Sequence, residues 1–106
     1  MSKYAVGRRV EWDVRKELEA HPLTEYVVRS AGSKGVADLV AFVRGSVLFI
    51  QCKVRGLPSL REREDLIKKA YVCGAWPVVA YRDKGLRYVW LPDGEIHTLN
   101  GLLAML

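Results

Sequence analysis

Cysteine is scarce in this sequence, and its scarcity excludes two classes of small protein. The chain of 106 residues contains two cysteines, Cys52 and Cys73, and two histidines. A disulfide-stabilised secreted domain needs more cysteines, and a structural zinc site needs about four cysteine or histidine ligands at close spacing. We therefore predict that both cysteines are reduced residues of a protein core.

Long apolar runs are also missing. No stretch reaches the roughly 18 consecutive apolar residues of a membrane-spanning helix, and the first residues, MSKYAVGRR, lack the apolar segment of a signal peptide. Hydrophobic residues nevertheless make up 50% of the chain, which favours a folded globular protein over a disordered one. We expect one domain over residues 1–106, located in the cytoplasm and without a membrane partner.

Acidic residues are almost absent between Arg29 and Arg61. That segment contains six basic residues and one acidic residue, Asp38, whereas the rest of the chain balances at eleven basic and eleven acidic residues. The whole net charge of +5 therefore lies in one segment. Such a concentration favours the binding of a polyanion, with a solvated basic surface as the alternative.

The spacing of apolar residues predicts two main helices. An amphipathic helix is expected over Lys3–Ala20, because valine and leucine recur every four residues and Pro22 follows. The capping-box pattern from Ser59 to Glu62 predicts the start of a second helix, which ends near Gly74. Its apolar residues are expected to face inwards: Leu60, Leu66, Ile67, Ala70 and Tyr71.

The other apolar segments predict strands. They are Thr24–Ser30, Ala37–Val43, Val47–Val54, Pro77–Arg82, Leu86–Leu91 and a short edge strand over Glu95–Leu99. The second and third are apolar on both faces, which is typical of strands covered by helices on both sides. We therefore predict an α/β fold, a mixed central β-sheet flanked by α-helices. The apolar tail from Leu102 to Leu106 is expected to pack on the body of the protein or on a partner.

Three polar side chains interrupt the two central strands. Asp38 is the lone acid of the first, and Gln51 and Lys53 share a face of the second because side chains alternate along a strand. Burying a carboxylate and an ammonium group among apolar residues is costly unless they pair or bind a metal ion. The arrangement predicts a site for a hard cation beside a lysine, as in a nuclease.

Two further features flank these residues. Glu11 lies at the edge of the apolar stripe of the first helix, where it either leans towards the sheet or forms an ion pair with Arg8 or Arg15. The glycine-containing loop Ala31–Gly35 either approaches a phosphate backbone closely or is a plain connection. Both alternatives stay open at the level of the sequence.

Glu11 and the segments VRSAGSKGVADLVA, LFIQCKV and YVWL together resemble the PD-(D/E)xK nuclease superfamily, whose fold is restriction-endonuclease-like. More narrowly, they are similar to the archaeal-type Holliday-junction resolvases, for which RSAGS ahead of the aspartate is the more specific signal. The resemblance runs from about residue 5 to residue 91 and leaves out the closing LPDGEIHTLNGLLAML.

The resemblance implies a metal-dependent endonuclease that resolves four-way DNA junctions by phosphodiester hydrolysis with paired, symmetric nicks. The ion would be Mg²⁺, with Mn²⁺ as the alternative. Lys53 would orient or activate the attacking water, and Ser30 or Ser33 would contact the scissile region. The implied metal ligands are Asp38, Glu11, Gln51 and the backbone carbonyl of Cys52.

The basic loops around this site are expected to contact phosphates. The predicted DNA-binding residues are Arg29, Ser30, Gly32, Ser33, Lys34, Arg55 and Arg61. A homodimer is implied as well, because a two-fold symmetric junction requires two related active sites. Its interface is predicted at Leu86, Tyr88 and Trp90 on one strand face, with the apolar tail. Trp12 and Trp76, like Trp90, are expected to be core or interface anchors.

The sequence departs from the resemblance at Gln51, where the family normally has a carboxylate. An amide oxygen can bind the cation but adds no charge, so a weaker metal affinity is expected. Three explanations stay open: an active enzyme with a natural glutamine, as in some restriction-type members, a replaced glutamate, or a protein that binds DNA without cutting it. The alternative functions are accordingly a repair or replication nuclease that cuts flaps or forks, and a catalytically silent DNA-binding module.

Overall fold

The structure, a computed structural model, describes residues 3–30 and 35–106. Its helices are α1 (Lys3–Ala20), α2 (Leu60–Cys73) and α3 (Leu99–Leu103). Its strands are β1 (Thr24–Arg29), β2 (Leu39–Val43), β3 (Ser46–Cys52), β4 (Trp76–Arg82), β5 (Leu86–Trp90) and β6 (Glu95–His97). Within these ranges, every helix is too short or too polar to cross a membrane.

The strands form one six-stranded sheet in the order β1-β2-β3-β4-β5-β6. β3 and β4 pair in parallel and are connected in sequence by the crossover helix α2. The other neighbouring strands pair antiparallel. An antiparallel pair needs only a short turn, but a parallel pair needs a crossover long enough to return the chain to the same edge. The predicted mixed sheet flanked by helices is confirmed.

The helices cover both faces of the sheet. Val14 of α1 and Leu102 of α3 pack in one apolar cluster with Val78 of β4. On the opposite face, Leu66 of α2 packs against the next residue of β4, Val79. The central strands are therefore buried on both sides, as their continuous apolar sequences predict.

This layering positions the polar residues of β3. Leu48 and Ile50 lie in the cluster under α1 and α3, and Phe49 packs against the cluster under α2. Because successive side chains alternate between faces, Gln51 lies on the α2 side of the sheet. Lys53 follows one residue after the end of β3, earlier than the predicted strand end at Val54, and its side chain contacts Glu62 on the same side. The predicted shared face of these two residues is confirmed.

Helix α2 packs on the sheet through a narrower stripe than the sequence predicts. Leu66 and Ala70 are fully buried, and Glu62 continues their four-residue spacing towards the start of the helix. A residue one position further along the helix is rotated by about 100°, so it leaves this stripe. The predicted inward orientation is wrong for the remaining three apolar residues, which are exposed: Leu60, Ile67 and Tyr71.

The predicted dimer interface on β5 is also wrong. Tyr88 and Trp90 are buried in the core under α1 and α3, and Leu86 packs against them. The Tyr88 hydroxyl donates a hydrogen bond to Glu17 Oε1 of α1 at 2.8 Å. Burial raises the pKa of Tyr88, and the neighbouring Glu17 raises it further. Because α1 and α3 cover this face of β5, a second chain cannot bind there.

The end of the chain contributes to the same core. Leu102 and Leu103 of α3 are fully buried, so the predicted packing of the tail on the body is confirmed. Both cysteines are free. Cys52 is partly buried against the core and burial raises the pKa of its thiol, but Cys73 is exposed at the end of α2, contrary to prediction.

Candidate active site

Asp38 lies at a bend one residue before β2 begins, rather than inside the strand as predicted. Its backbone N–H donates to the carbonyl oxygen of Ile50 at 2.8 Å, and its Oδ2 accepts a hydrogen bond from the backbone N–H of Cys52 at 2.7 Å. The two contacts continue the pairing of β2 with β3 by one step and fix the carboxylate at the end of β3.

The carboxyl group of Asp38 is electrostatically coupled to the side chains around it. Burial is the largest effect and raises its pKa, while the hydrogen bond from Cys52 lowers it. The negative charge of Glu11 raises the pKa of Asp38, and the positive charges of Lys53 and Arg29 lower it. The structure therefore brings Glu11, Asp38 and Lys53 into one group, as the sequence predicts.

Glu11 reaches this group from α1. Its Oε1 accepts a hydrogen bond from Nε of Arg29 at the end of β1. Only 16% of the Glu11 side chain is exposed, so the residue leans towards the sheet. The ion pair with Arg29 differs from the predicted alternative, a solvated glutamate paired with Arg8 or Arg15.

Glu62 is the site residue that the sequence did not reveal. Its Oε2 accepts hydrogen bonds from Lys53 Nζ at 3.0 Å and from Gln51 Nε2 at 3.3 Å. The hydrogen bond from Lys53 is the main reason that the pKa of Glu62 lies below its ordinary value. The sequence identifies this glutamate only as part of a capping box. The four-residue spacing to Leu66 and Ala70 is the signal that places it on the sheet-facing stripe of α2.

Only some of the other predicted site residues lie in the described part of the chain. Ser30 lies beside Asp38, because its backbone N–H donates to the Asp38 carbonyl oxygen at 2.9 Å. Arg55 is exposed after β3, and Arg61 is exposed on the first turn of α2. The other predicted DNA contacts lie outside the described residues: Gly32, Ser33 and Lys34.

A cleft opens beside Glu11, between α1 and the end of β1. It has a volume of about 200 Å³. Trp12, predicted as a core or interface anchor rather than a base-stacking platform, is 53% exposed, which excludes the core. Its indole lines the cleft, with Lys16 Nζ 4.9 Å from the ring centre. Guanidinium groups and an exposed indole are groups that bind phosphates and nucleobases. The cleft is lined by Arg8, Glu11, Trp12, Arg15 and Arg29.

The donor set at the end of β3 fits a hard divalent cation. Asp38 offers a partly buried carboxylate, and Glu11 adds a second one, close enough for its charge to raise the pKa of Asp38. The Gln51 Oε1 atom is buried and has no hydrogen-bond partner among the residues that the structure describes. Carboxylate and amide oxygens are the ligands that Mg²⁺ and Ca²⁺ prefer. These residues can therefore hold such an ion.

A second group of metal-ligating residue types lies at the turn between β5 and β6. Ligand atoms of Asp93, Glu95 and His97 fall within 4.8 Å of one another. Asp93 Oδ1 accepts a hydrogen bond from the Glu95 backbone N–H at 2.8 Å, and its other oxygen lies 3.9 Å from His97 Nε2. These contacts stabilise the turn, and two strands separate the group from β3.

No protein-family model and no curated protein matches the chain. Among solved structures, it is similar to the 1.6 Å structure of Archaeoglobus fulgidus Hjc, a Holliday junction resolvase from an archaeal hyperthermophile. The two chains are 29% identical, and the match covers 81% of this chain and 78% of that chain with a TM-score of 0.68.

The mixed six-stranded sheet with its flanking helices is the restriction-endonuclease-like fold of the PD-(D/E)xK nucleases. Within that class, the chain is similar to the archaeal Holliday-junction resolvases. The resemblance and the fold class predicted from the sequence are both confirmed.

Proposed function

We propose that the protein is a metal-dependent endodeoxyribonuclease that resolves four-way DNA junctions with paired, symmetric nicks. The observation that carries the proposal is the electrostatic grouping of Glu11, Asp38 and Lys53 at the end of β3. Similarity to an archaeal Holliday junction resolvase supports the branched substrate. Residues 1–106 would form one nuclease domain that acts on DNA in the cytoplasm.

In this mechanism the chain holds the ion and positions the water. Lys53 would orient or activate the attacking water, and Ser30 or Ser33 would contact the scissile region. A bound Mg²⁺ or Mn²⁺ would acidify the water and stabilise the charge that develops on the phosphate. The residues proposed to hold the ion are Asp38, Glu11, Gln51 and the backbone carbonyl of Cys52.

The DNA would lie across the basic surface around the site. Exposed Arg55 and Arg61 flank Lys53 and Glu62, and Arg29 lies on the other side beside Glu11. The cleft with Trp12 extends this surface along α1. Phosphate contacts of this kind position a duplex without reading its sequence. Gly32, Ser33 and Lys34 complete the proposed contact set.

A homodimer would place two such sites on one junction. Its interface is proposed on the outer face of α2 and the start of β4, where Ile67, Tyr71 and Trp76 are exposed apolar residues. They border an apolar hollow of about 180 Å³. Exposed apolar clusters of this kind are typical of interfaces between chains, and aromatic residues are enriched there.

A second candidate is a silent DNA-binding module, which the neutral Gln51 favours. A nicking assay separates the candidates, with strand-labelled four-way junction, flap, fork and linear duplex, each with and without Mg²⁺. Paired symmetric nicks that need metal and prefer the junction are the expected result. Preference for flaps or forks would indicate the repair nuclease, and binding without cleavage in any metal would indicate the silent module.

A further inference from the structure

A carboxylate of a different element lies next to the position where the resemblance leads one to expect an acid. The strand position that normally carries an acid holds Gln51, and its Nε2 donates to Glu62 Oε2 of α2 at 3.3 Å. The same oxygen accepts from Lys53 Nζ at 3.0 Å. Gln51 of β3 and Lys53, one residue after β3, therefore both donate to one atom of Glu62.

We propose that Glu62 supplies the metal site with the negative charge that Gln51 lacks, and that Gln51 couples the two elements by its hydrogen bond. The inference rests on the metal centre of the proposed nuclease. It assigns to α2 the acidic residue that the family pattern places on β3.

The charges around Asp38 give the first argument. Glu11 and Asp38 are two carboxylates of this group, and we count Glu62 as a third because it contacts Lys53 at 3.0 Å. Two cations, Arg29 and Lys53, pair with them. The group thus has one net negative charge, and it would be neutral without Glu62. Because the affinity of a hard cation site rises with the negative charge at and next to its ligands, Glu62 would strengthen the attraction of this group for a divalent ion.

The orientation of Glu62 gives the second argument. Its Oε1 lies 3.4 Å from the Ser59 backbone N–H and 3.2 Å from the Ser59 hydroxyl, which closes the capping box of α2. Its Oε2 is left for Gln51 and Lys53. The helix start and the end of β3 are therefore joined through one side chain, which holds the charge in place.

The amide of Gln51 gives the third argument. With its nitrogen donating to Glu62, its oxygen Oε1 is buried and has no hydrogen-bond partner in the described part of the chain. A buried acceptor without a partner is unfavourable, by about 1–3 kcal/mol in general. A cation would satisfy this oxygen, so the hydrogen bond to Glu62 also presents Gln51 as a neutral ligand.

Metal binding in the absence of DNA tests the proposal. Mn²⁺ affinity is measured by electron paramagnetic resonance on the wild type and on Glu62→Gln, which retains a capping box. Loss of a partner next to the ligands typically weakens metal affinity by roughly 10- to 100-fold, and a loss in this range is expected. The matched control is Glu64→Gln, an exposed residue of the same helix, which should bind Mn²⁺ like the wild type.

A charge exchange makes the test specific. Gln51→Glu alone would set two carboxylates side by side. The double variant Gln51→Glu/Glu62→Gln keeps both the hydrogen bond and the number of charges, with donor and acceptor reversed. It should recover most of the Mn²⁺ affinity that Glu62→Gln loses. Affinity as low as in Glu62→Gln would overturn the proposal, as would wild-type affinity in Glu62→Gln itself.

The outcome is separable from that of the proposed function. If the Mn²⁺ pattern appears but no DNA is cut, the nuclease assignment fails and the role of Glu62 stands. If DNA is cut and Glu62→Gln binds Mn²⁺ like the wild type, the nuclease stands and the role of Glu62 is rejected. Unfolding curves of every variant confirm that folded proteins are compared. If Glu62→Gln does not fold, the Mn²⁺ affinity of the double variant decides between the outcomes.

Discussion

The backbone N–H of Cys52 donates a hydrogen bond to Asp38 Oδ2 at 2.7 Å, and this contact holds a partly buried carboxylate at the end of the central strand. Burial nevertheless raises the pKa of Asp38, so the hydrogen bond does not fully offset the loss of hydration. The charged form of Asp38 therefore opposes folding. A residue that we propose as a metal ligand is thus unfavourable for the stability of the metal-free protein.

Asp38→Asn should stabilise the metal-free protein at neutral pH. Because the pKa of Asp38 is raised in the folded state, its contribution to stability is fully present below the ordinary aspartate pKa and is lost as the pH rises through the raised value. Asparagine keeps an oxygen for the Cys52 N–H and carries no charge. Urea unfolding in EDTA at several pH values should show a gain at neutral pH that vanishes in acid.

The control for this experiment is Asp65→Asn, at an exposed position of α2. It should not reproduce the pH-dependent gain. A destabilised Asp38→Asn protein at neutral pH, or a gain that is equal at all pH values, would contradict the assignment of Asp38 as a partly buried carboxylate whose charge opposes folding.

Lys53→Ala should abolish cleavage and leave junction binding intact. A side chain that orients or activates water contributes roughly 100- to 10,000-fold to the rate, whereas we propose that the surrounding arginines make the phosphate contacts. Single-turnover cleavage and gel shifts on the same junction measure the two effects. Lys68→Ala, an exposed lysine further along α2, is the control. Wild-type turnover in Lys53→Ala would remove Lys53 from the mechanism.

Replacing Arg55 or Arg61 by alanine should reduce the salt dependence of DNA binding. Each phosphate that a protein neutralises on B-DNA changes the slope of log affinity against log salt by about 0.9, so each variant should flatten it by about one unit. Affinities measured over a series of salt concentrations give this slope. If both variants keep the wild-type slope, the DNA lies elsewhere.

Arg44 provides the control for the salt-dependence experiment, because it lies far from the proposed DNA surface. Arg44 lies in the turn between β2 and β3, at the opposite end from Asp38, and has a positive φ of 52°. Arg44→Asn removes one positive charge, and asparagine tolerates this backbone conformation. Its salt slope should equal that of the wild type.

Tyr71→Glu should convert the proposed dimer into monomers without weakening the fold, because 86% of Tyr71 is exposed in the single chain. A charge placed in an apolar interface is desolvated without a partner, which disfavours association. Light scattering measures the mass of the particle. Tyr26→Glu, at an exposed tyrosine of β1, is the control and should stay dimeric. A Tyr71→Glu dimer would place the interface on another surface.

Much of the fold could be predicted because it depends on short-range patterns. The apolar repeat of α1, the capping box at Ser59 and the apolar strands are signals that neighbouring residues create together. The exposed side of α2 could not be predicted in this way. Ile67 and Leu66 are adjacent and equally apolar, and only the angle at which the helix lies on β4 decides which one is buried.

The sequence by itself determined that Gln51 and Lys53 share one strand face, and that Asp38 stands close to them in an apolar setting. Both follow from the alternation of side chains and from the cost of burying charge. Only the tertiary structure decided that Glu62 meets these residues, since that contact requires α2 to pack across the sheet from Leu66 onwards. Glu62 is eleven positions from Gln51 in sequence, and helix packing makes it a hydrogen-bond partner. No local sequence pattern encodes this contact.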